Sequence, residues 1–234
     1  MGMSDRKKQG KLYGVGVGAG DPEDVTCKAV RVLEQCHVIG LQESRTAYEI
    51  ARQACPVIAK KEQLLLLLPM SREEQTLKQA WREAAGQIME KLEEGKDVAL
   101  PVLGDPTIYA AVGYLKEELD KEGYETIFIN GIPSFVRAAA DAGITLVQGK
   151  EPLHILPGIC EAEELLQLSG THVYMKAGRK LPVLRQRLEQ MAQGESEVYC
   201  VEKAGWKDKS LQTGQNALSE EHGYYTLVIV KQKN

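Results

Sequence analysis

The sequence has no surplus of positive charge, no long apolar run, and no paired-cysteine or paired-histidine motif. Its 29 Lys and Arg against 33 Asp and Glu give a formal net charge of −4. That balance argues against a nucleic-acid surface, which is normally basic. The longest apolar run, residues 64–68, is far too short to cross a bilayer. Residues 1–11 are polar and charged with no stretch of signal-peptide length, so a cytoplasmic location is expected, with no membrane and no nucleic-acid partner. Cys27, Cys36, Cys55, Cys160 and Cys200 show no CxxC spacing, and no further ligands at metal-site spacing accompany Cys27 and Cys36. Buried reduced thiols are expected, and no metal. His37, His154, His172 and His222 form neither HxxxH nor HxH, and read as structural or surface residues.

What is present is an ordinary globular composition. With 43% hydrophobic and 26% charged residues, 234 residues can bury a substantial core and suffice for two small domains. Strand-like and helix-like segments alternate, which predicts α/β architecture with a largely parallel sheet. Strands are expected at 12–17, 37–41, 64–68, 98–103, 126–129, 153–156, 172–176, 197–202 and 224–231. Helices are expected at 22–35, 72–94, 107–122, 134–142, 162–168 and 181–192, with plain loops at 193–196 and 210–223. The turn at Asn130–Gly131 divides the chain into domains 1–130 and 131–234.

The stretch YGVGVGAGDPEDVT carries glycines at 14, 16, 18 and 20 followed by acid. A dinucleotide fingerprint GxGxxG/A fits Gly14, Gly16 and Ala19 after a strand and before a helix. The residues that follow oppose it. A pyrophosphate would sit at the helix N-terminus, but here Asp21, Glu23 and Asp24 place three carboxylates. Asp21 reads as an N-cap, Pro22 as the first helical residue, and Asp24 stands where a capping box reaches back. The glycines instead bare the strand end so that a flat ligand or another backbone comes close, or they serve helix–strand packing. PVLGDPTIY repeats the design later: Gly104 bares the backbone, Asp105 caps, and Pro106 starts a helix. Two such turns at strand C-termini point to a crevice on one side of a sheet.

Together KLYGVGVGAGDPEDVTCKAVRVL, VLGDPTIY, NGIPSF and VYMKAGR, in this order and spacing, resemble the tetrapyrrole methylases of cobalamin and sirohaem biosynthesis. The resemblance runs from Lys11 to about Val230. LLLPMSREEQTLKQAWREAAGQIMEKLEEGKDVALPVLGDPTIY, GITLVQGKEPLHILPG and VEKAGW are similar to one branch, which methylates carbon 20 of precorrin-2 or cobalt-factor II. The resemblance implies a class III methyltransferase fold, two α/β domains with a cofactor trough between them, S-adenosyl-L-methionine as cofactor, a tetrapyrrole substrate and a homodimer. Methylation of another ring position, or a non-catalytic tetrapyrrole-binding module, stays open as an alternative.

Carried over residue by residue, the resemblance implies that Leu103, Gly104 and Asp105 bind the cofactor through backbone groups and the carboxylate. Ile108 lines the same pocket, Pro133 and Ser134 contact the cofactor, Met175 lies against adenine and Ala204 beside it. Ala19 stands where the family's GPGDP has proline, and Pro133 replaces a more usual threonine. Gly18, Gly20, Asp21 and Tyr109 fall on the substrate side. A many-carboxylate substrate calls for a basic rim: Lys176, Arg179 and Lys180 follow one strand end, Lys203, Lys207 and Lys209 another, and Arg179 suits bidentate pairing best. No catalytic residue is named, because transfer of an activated methyl asks mainly for proximity and orientation.

Overall fold

The computed structural model describes residues 9–69, 73–158, 168–178, 181–190, 196–218 and 222–232. The chain divides into two compact units, Met1–Pro133 and Ser134–Asn234.

In the first unit, β1 (Leu12–Gly16), β2 (Val38–Gln42), β3 (Glu62–Leu66), β4 (Val98–Val102) and β5 (Thr126–Ile129) form a wholly parallel sheet in the order β3-β2-β4-β1-β5. Every residue of β4 is buried, the continuous apolar pattern of a strand covered on both faces. Alternation splits its side chains. Val98, Leu100 and Val102 pack with α3 (Glu74–Glu93) and α4 (Val112–Lys121), whereas Ala99 joins the opposite core with α1 (Cys27–Gln35) and α2 (Thr46–Ala54). Pro101 is tolerated in this central strand because the β2–β4 ladder stops at Ala99, before a residue with no N–H to give.

The second unit holds α5 (Ser134–Asp141), β6 (Leu153–Leu156), β7 (Thr171–Tyr174), α6 (Leu181–Gln190), β8 (Ser196–Glu202), β9 (Ser210–Thr213) and β10 (Thr226–Gln232). Its sheet runs β6-β7-β10-β8-β9, and only the β6–β7 pair is parallel. A largely parallel sheet is therefore correct for the first unit and not for the second. Leu181, Leu184 and Leu188 on α6 pack against Tyr174, Val198, Cys200, Val228 and Val230.

Four local expectations are corrected. The helix expected at 22–35 is a 3-10 turn, Pro22–Asp24, followed by α1, because Val25 and Thr26 are extended. Thr26, rather than Asp21, caps α1 by accepting from Ala29 N (3.1 Å), while Asp21 caps the 3-10 turn by accepting from Glu23 N (3.0 Å). The helix expected from 107 begins only at Val112. Residues 210–223 contain β9 and a 3-10 turn, Gln215–Leu218, that buries Ala217 and Leu218. Finally, α2 was not foreseen: Arg45 enters it in the left-handed region (φ 52°) with no side-chain cap, so no start signal marks it in the sequence. Residues 162–167 of the helix expected at 162–168 and residues 193–195 of the loop expected at 193–196 lie outside the described residues.

Among the described cysteines, Cys36, Cys55 and Cys200 are buried but Cys27 is exposed, against expectation. Burial pushes the Cys36 thiol up to about 12, with Asp97 adding to it, and the Cys200 thiol up to about 11. Both are inert at neutral pH. No helix among the described residues is long and apolar enough to cross a membrane.

Candidate active site

The two Gly-Asp-Pro turns leave neighbouring parallel strands, β1 and β4. From β1 the chain passes through α1 to β2, on one side of β4. From β4 it passes through α4 to β5, on the far side of β1. Neighbouring strands whose connections part in this way open a crevice at their C-terminal ends. The loops are bonded to each other across it: Gly104 N donates to Gly18 O at 2.7 Å, and Val17 N to Val102 O at 3.0 Å. Both Gly18 (φ 76°) and Gly104 (φ 70°) are left-handed, a geometry that favours glycine.

The glycine string has an assignable purpose. A Cβ at Gly16 would meet Gly104 O at 2.6 Å and Gly131 N at 2.6 Å, and one at Gly131 would meet Gly104 O at 2.2 Å. Of the readings left open by the sequence, close backbone approach holds at Gly16, where the chain segments after β1, β4 and β5 touch. Helix packing holds at Gly14, whose Cβ would strike the Val112 side chain at 2.7 Å.

Asp105 ties this arrangement together and is only 6% exposed. Its Oδ1 accepts from Thr107 N (2.9 Å) and Thr107 Oγ1 (2.5 Å), and its Oδ2 from Asn130 Nδ2 (3.1 Å) and Gly131 N (3.2 Å). Burial alone would raise its pKa, but these bonds outweigh it and hold the carboxyl below the usual range. The carboxylate is thus ionised at neutral pH with its acceptor capacity filled from inside the protein. Its geometry is that of a fastener joining the β4 loop to the end of β5. Leu103 and Ile108 are half-buried beside it, and Ala19 is buried. Tyr109 is 48% exposed and held at φ 49°, a left-handed backbone costly for an aromatic residue. Gly20 and Asp21 are half-buried on the β1 loop, and Pro133 half-buried after β5.

In the second unit, Met175 follows β7, half-buried, its N donating to Leu156 O at 2.9 Å. Ala204 follows β8 and is 5% exposed. The two strands run in the same direction on either side of β10, so both residues lie at the sheet edge where β10 begins. Ser134 opens α5, half-buried. Sequence reasoning missed Asp141, the last residue of α5, although an acid at a helix C-terminus opposes the dipole and was a usable signal. Its Oδ2 accepts from Gly205 N at 2.7 Å, and its Oδ1 pairs with Arg137 Nε at 3.3 Å and with Lys209. Burial pushes the Asp141 carboxyl up, but Lys209, Gly205 and Arg137 bring it below its ordinary value. Asp141 thereby fixes the turn that carries Ala204. Asp141→Ala is expected to weaken binding of a cofactor analogue about tenfold, while Asp141→Asn, which keeps the bond to Gly205, loses clearly less; calorimetry on both variants measures it.

Four residues of the expected basic rim are described. Lys203 pairs with Asp208 at 2.5 Å and Lys209 with Asp141, so both serve internal ion pairs. Lys176 and Lys207 are exposed, and Arg179 and Lys180 lie outside the described residues. Among the described residues no group of three His, Cys, Asp or Glu could hold a metal ion.

The profile of the tetrapyrrole (corrin/porphyrin) methylases matches residues 11–217. The chain belongs to this family. Among tetrapyrrole methylase relatives, it is 32% identical to a Methanocaldococcus jannaschii protein named "Probable cobalt-precorrin-2 C(20)-methyltransferase", over 94% of this chain and 96% of that one. It is 30% identical to a Sinorhizobium protein named "Precorrin-2 C(20)-methyltransferase", over 94% of this chain and 95% of that one. The solved structure of a cobalt precorrin-4 methyltransferase shares the fold with a TM-score of 0.76, at 20% identity and 98% coverage of both chains.

Proposed function

We propose that this tetrapyrrole methylase is an S-adenosyl-L-methionine-dependent C-methyltransferase of cobalamin biosynthesis, acting at carbon 20 of precorrin-2 or cobalt-factor II. Two relatives matched over nearly their whole length bear names of that activity. The structural observation that carries the reading is the pair of Gly-Asp-Pro loops with an ionised, buried Asp105 and the acids Asp21, Glu23 and Asp24 on the adjoining loop. The negative charge of this strand edge suits a cationic sulfonium ligand and disfavours phosphate. The residues present therefore fit the cofactor.

When bound, the cofactor supplies an electrophilic methyl group to a nucleophilic carbon of the macrocycle. The protein's part is to bind, orient and exclude water. Leu103, Gly104, Asp105, Ile108, Ala19, Pro133, Ser134, Met175 and Ala204 are the proposed cofactor contacts, with Asp105 also fastening the β4 loop and Asp141 holding the turn that carries Ala204. Gly18, Gly20, Asp21 and Tyr109 face the substrate, and Lys176 and Arg179 take its carboxylates. The enzyme is further proposed to work as a cytoplasmic homodimer, in keeping with the family resemblance.

The test is calorimetry followed by turnover. S-adenosylhomocysteine should bind at micromolar affinity or better and NAD negligibly; tight NAD binding with no response to the homocysteine analogue would sink the reading. Metal-free precorrin-2 and cobalt-factor II, each offered with methyl-labelled cofactor, then identify the substrate by comparative turnover. The position of the labelled carbon separates ring position 20 from any other.

A further inference from the structure

The chain has two tryptophans, nine tyrosines and two phenylalanines, and three of these rings adjoin at one edge of the second unit's sheet. Tyr224 and Tyr225 are 46% and 37% exposed and meet edge-on with centroids 5.3 Å apart. Trp206 tilts against Tyr225 at 5.8 Å. The Lys176 ammonium stands 5.8 Å from the Tyr224 ring centroid, within cation–π reach. Adjoining exposed rings beside a cation signal a ligand surface rather than core packing.

The surface is built rather than incidental. His222 N donates to Gly178 O at 2.8 Å, Ala177 N to Thr226 O at 3.1 Å, and Lys203 N to Tyr225 O at 3.0 Å. These bonds pin the two tyrosines between the ends of β7 and β8. Lys176 (φ 56°) and Lys203 (φ 53°) are both left-handed, a conformation that L side chains hold only when the surroundings impose it. Lys203 is spent on Asp208, and Glu202 on Gly223 N (3.2 Å) and His222 (3.4 Å). Among the described residues Lys176 has no ion-pair partner, only the Tyr224 ring. A strained backbone therefore holds the ammonium beside an exposed aromatic face.

We propose that Tyr224, Tyr225 and Lys176 form a substrate subsite: the rings receive part of the flat face of the macrocycle and the ammonium receives one of its peripheral carboxylates. The charge fits an anionic ring, and the aromatic faces fit a planar one. This assignment rests on the proposed methyltransferase function and extends its substrate contacts to a shelf outside both Gly-Asp-Pro loops.

The experiment uses the full chain, with uroporphyrin as a flat polycarboxylate probe and S-adenosylhomocysteine as the cofactor probe, both by calorimetry at two salt concentrations. Tyr224→Ser and Lys176→Met should each raise the uroporphyrin dissociation constant about tenfold, with homocysteine-analogue affinity within twofold of the parent. Lys176→Met should also flatten the salt dependence of porphyrin binding, which Tyr224→Ser leaves intact and Lys176→Arg restores. Unchanged porphyrin binding in both variants would overturn the subsite. So would a loss confined to the homocysteine analogue, which would give the shelf to the cofactor while leaving the methyltransferase reading in place. Equal loss of both ligands in every variant, Lys176→Arg included, would also overturn it. A parent protein that binds neither probe would overturn the function, and the subsite with it.

Discussion

Gly131→Ala should be among the most damaging single-methyl additions this chain can receive. The new Cβ would lie 2.2 Å from Gly104 O and 2.7 Å from Gly16 C. Both obstacles are backbone, so relief means moving the ends of β1, β4 and β5 apart and breaking the Gly131 N–H bond to Asp105. Overpacking of this kind should cost at least about 3 kcal/mol, or a melting temperature lower by roughly 6–12 °C for a domain of this size. Cofactor-analogue binding should fall with it, because the same displacement disturbs Leu103 and Gly104. Gly86→Ala is the internal control. It sits within α3 with nothing inside 4 Å of the added carbon, so it should gain about 0.5–1 kcal/mol. Melting curves of the two variants check the contrast, and a Gly131→Ala protein that melts like the parent would refute the close-approach account.

Asp105→Asn is the second large effect. The amide would present an N–H pair to donors on one side, facing either Thr107 or Asn130 and Gly131, where the carboxylate now accepts from all of them. Unsatisfied donors and the lost charge together should cost about 2–4 kcal/mol. The pH dependence gives a separate readout. The folded-state pKa of Asp105 is depressed below its ordinary 3.8. The native state therefore binds its proton less readily than the unfolded chain. The corresponding stability is present in full above about pH 4 and is lost as pH falls through the lower folded value. Denaturant titrations of parent and Asp105→Asn between neutral pH and pH 2 should show the gap narrowing on acidification. A gap independent of pH would mean that the carboxylate charge does not hold the loop.

The alternation of apolar segments set the α/β class, and β5, β6 and α5 fall close to where the residue pattern places them. Thr26 and Asp21 show how far local chemistry reaches. An acid-rich start was legible, but which residue caps which turn depended on Val25 and Thr26 being extended, a choice made by packing Val25 into the core. The unforeseen α2 buries Ala47, Tyr48, Ile50 and Ala51 in a stripe too short to stand out without a cap. Likewise 210–223, polar along much of its length, gained β9 only by pairing with β8.

At the candidate site the sequence by itself determined the paired Gly-Asp-Pro loops, their acidic character and the family. All of these are written within a few consecutive residues, where turn, cap and charge chemistry act. Only the tertiary structure decided that Asp105 fastens Asn130 and Gly131, that Asp141 holds Gly205 across a separation of 64 residues, and that Tyr224 and Tyr225 stand beside Lys176. Those partners are chosen by strand order and register, which bring distant segments together only once the sheets have formed, so no local pattern encodes them.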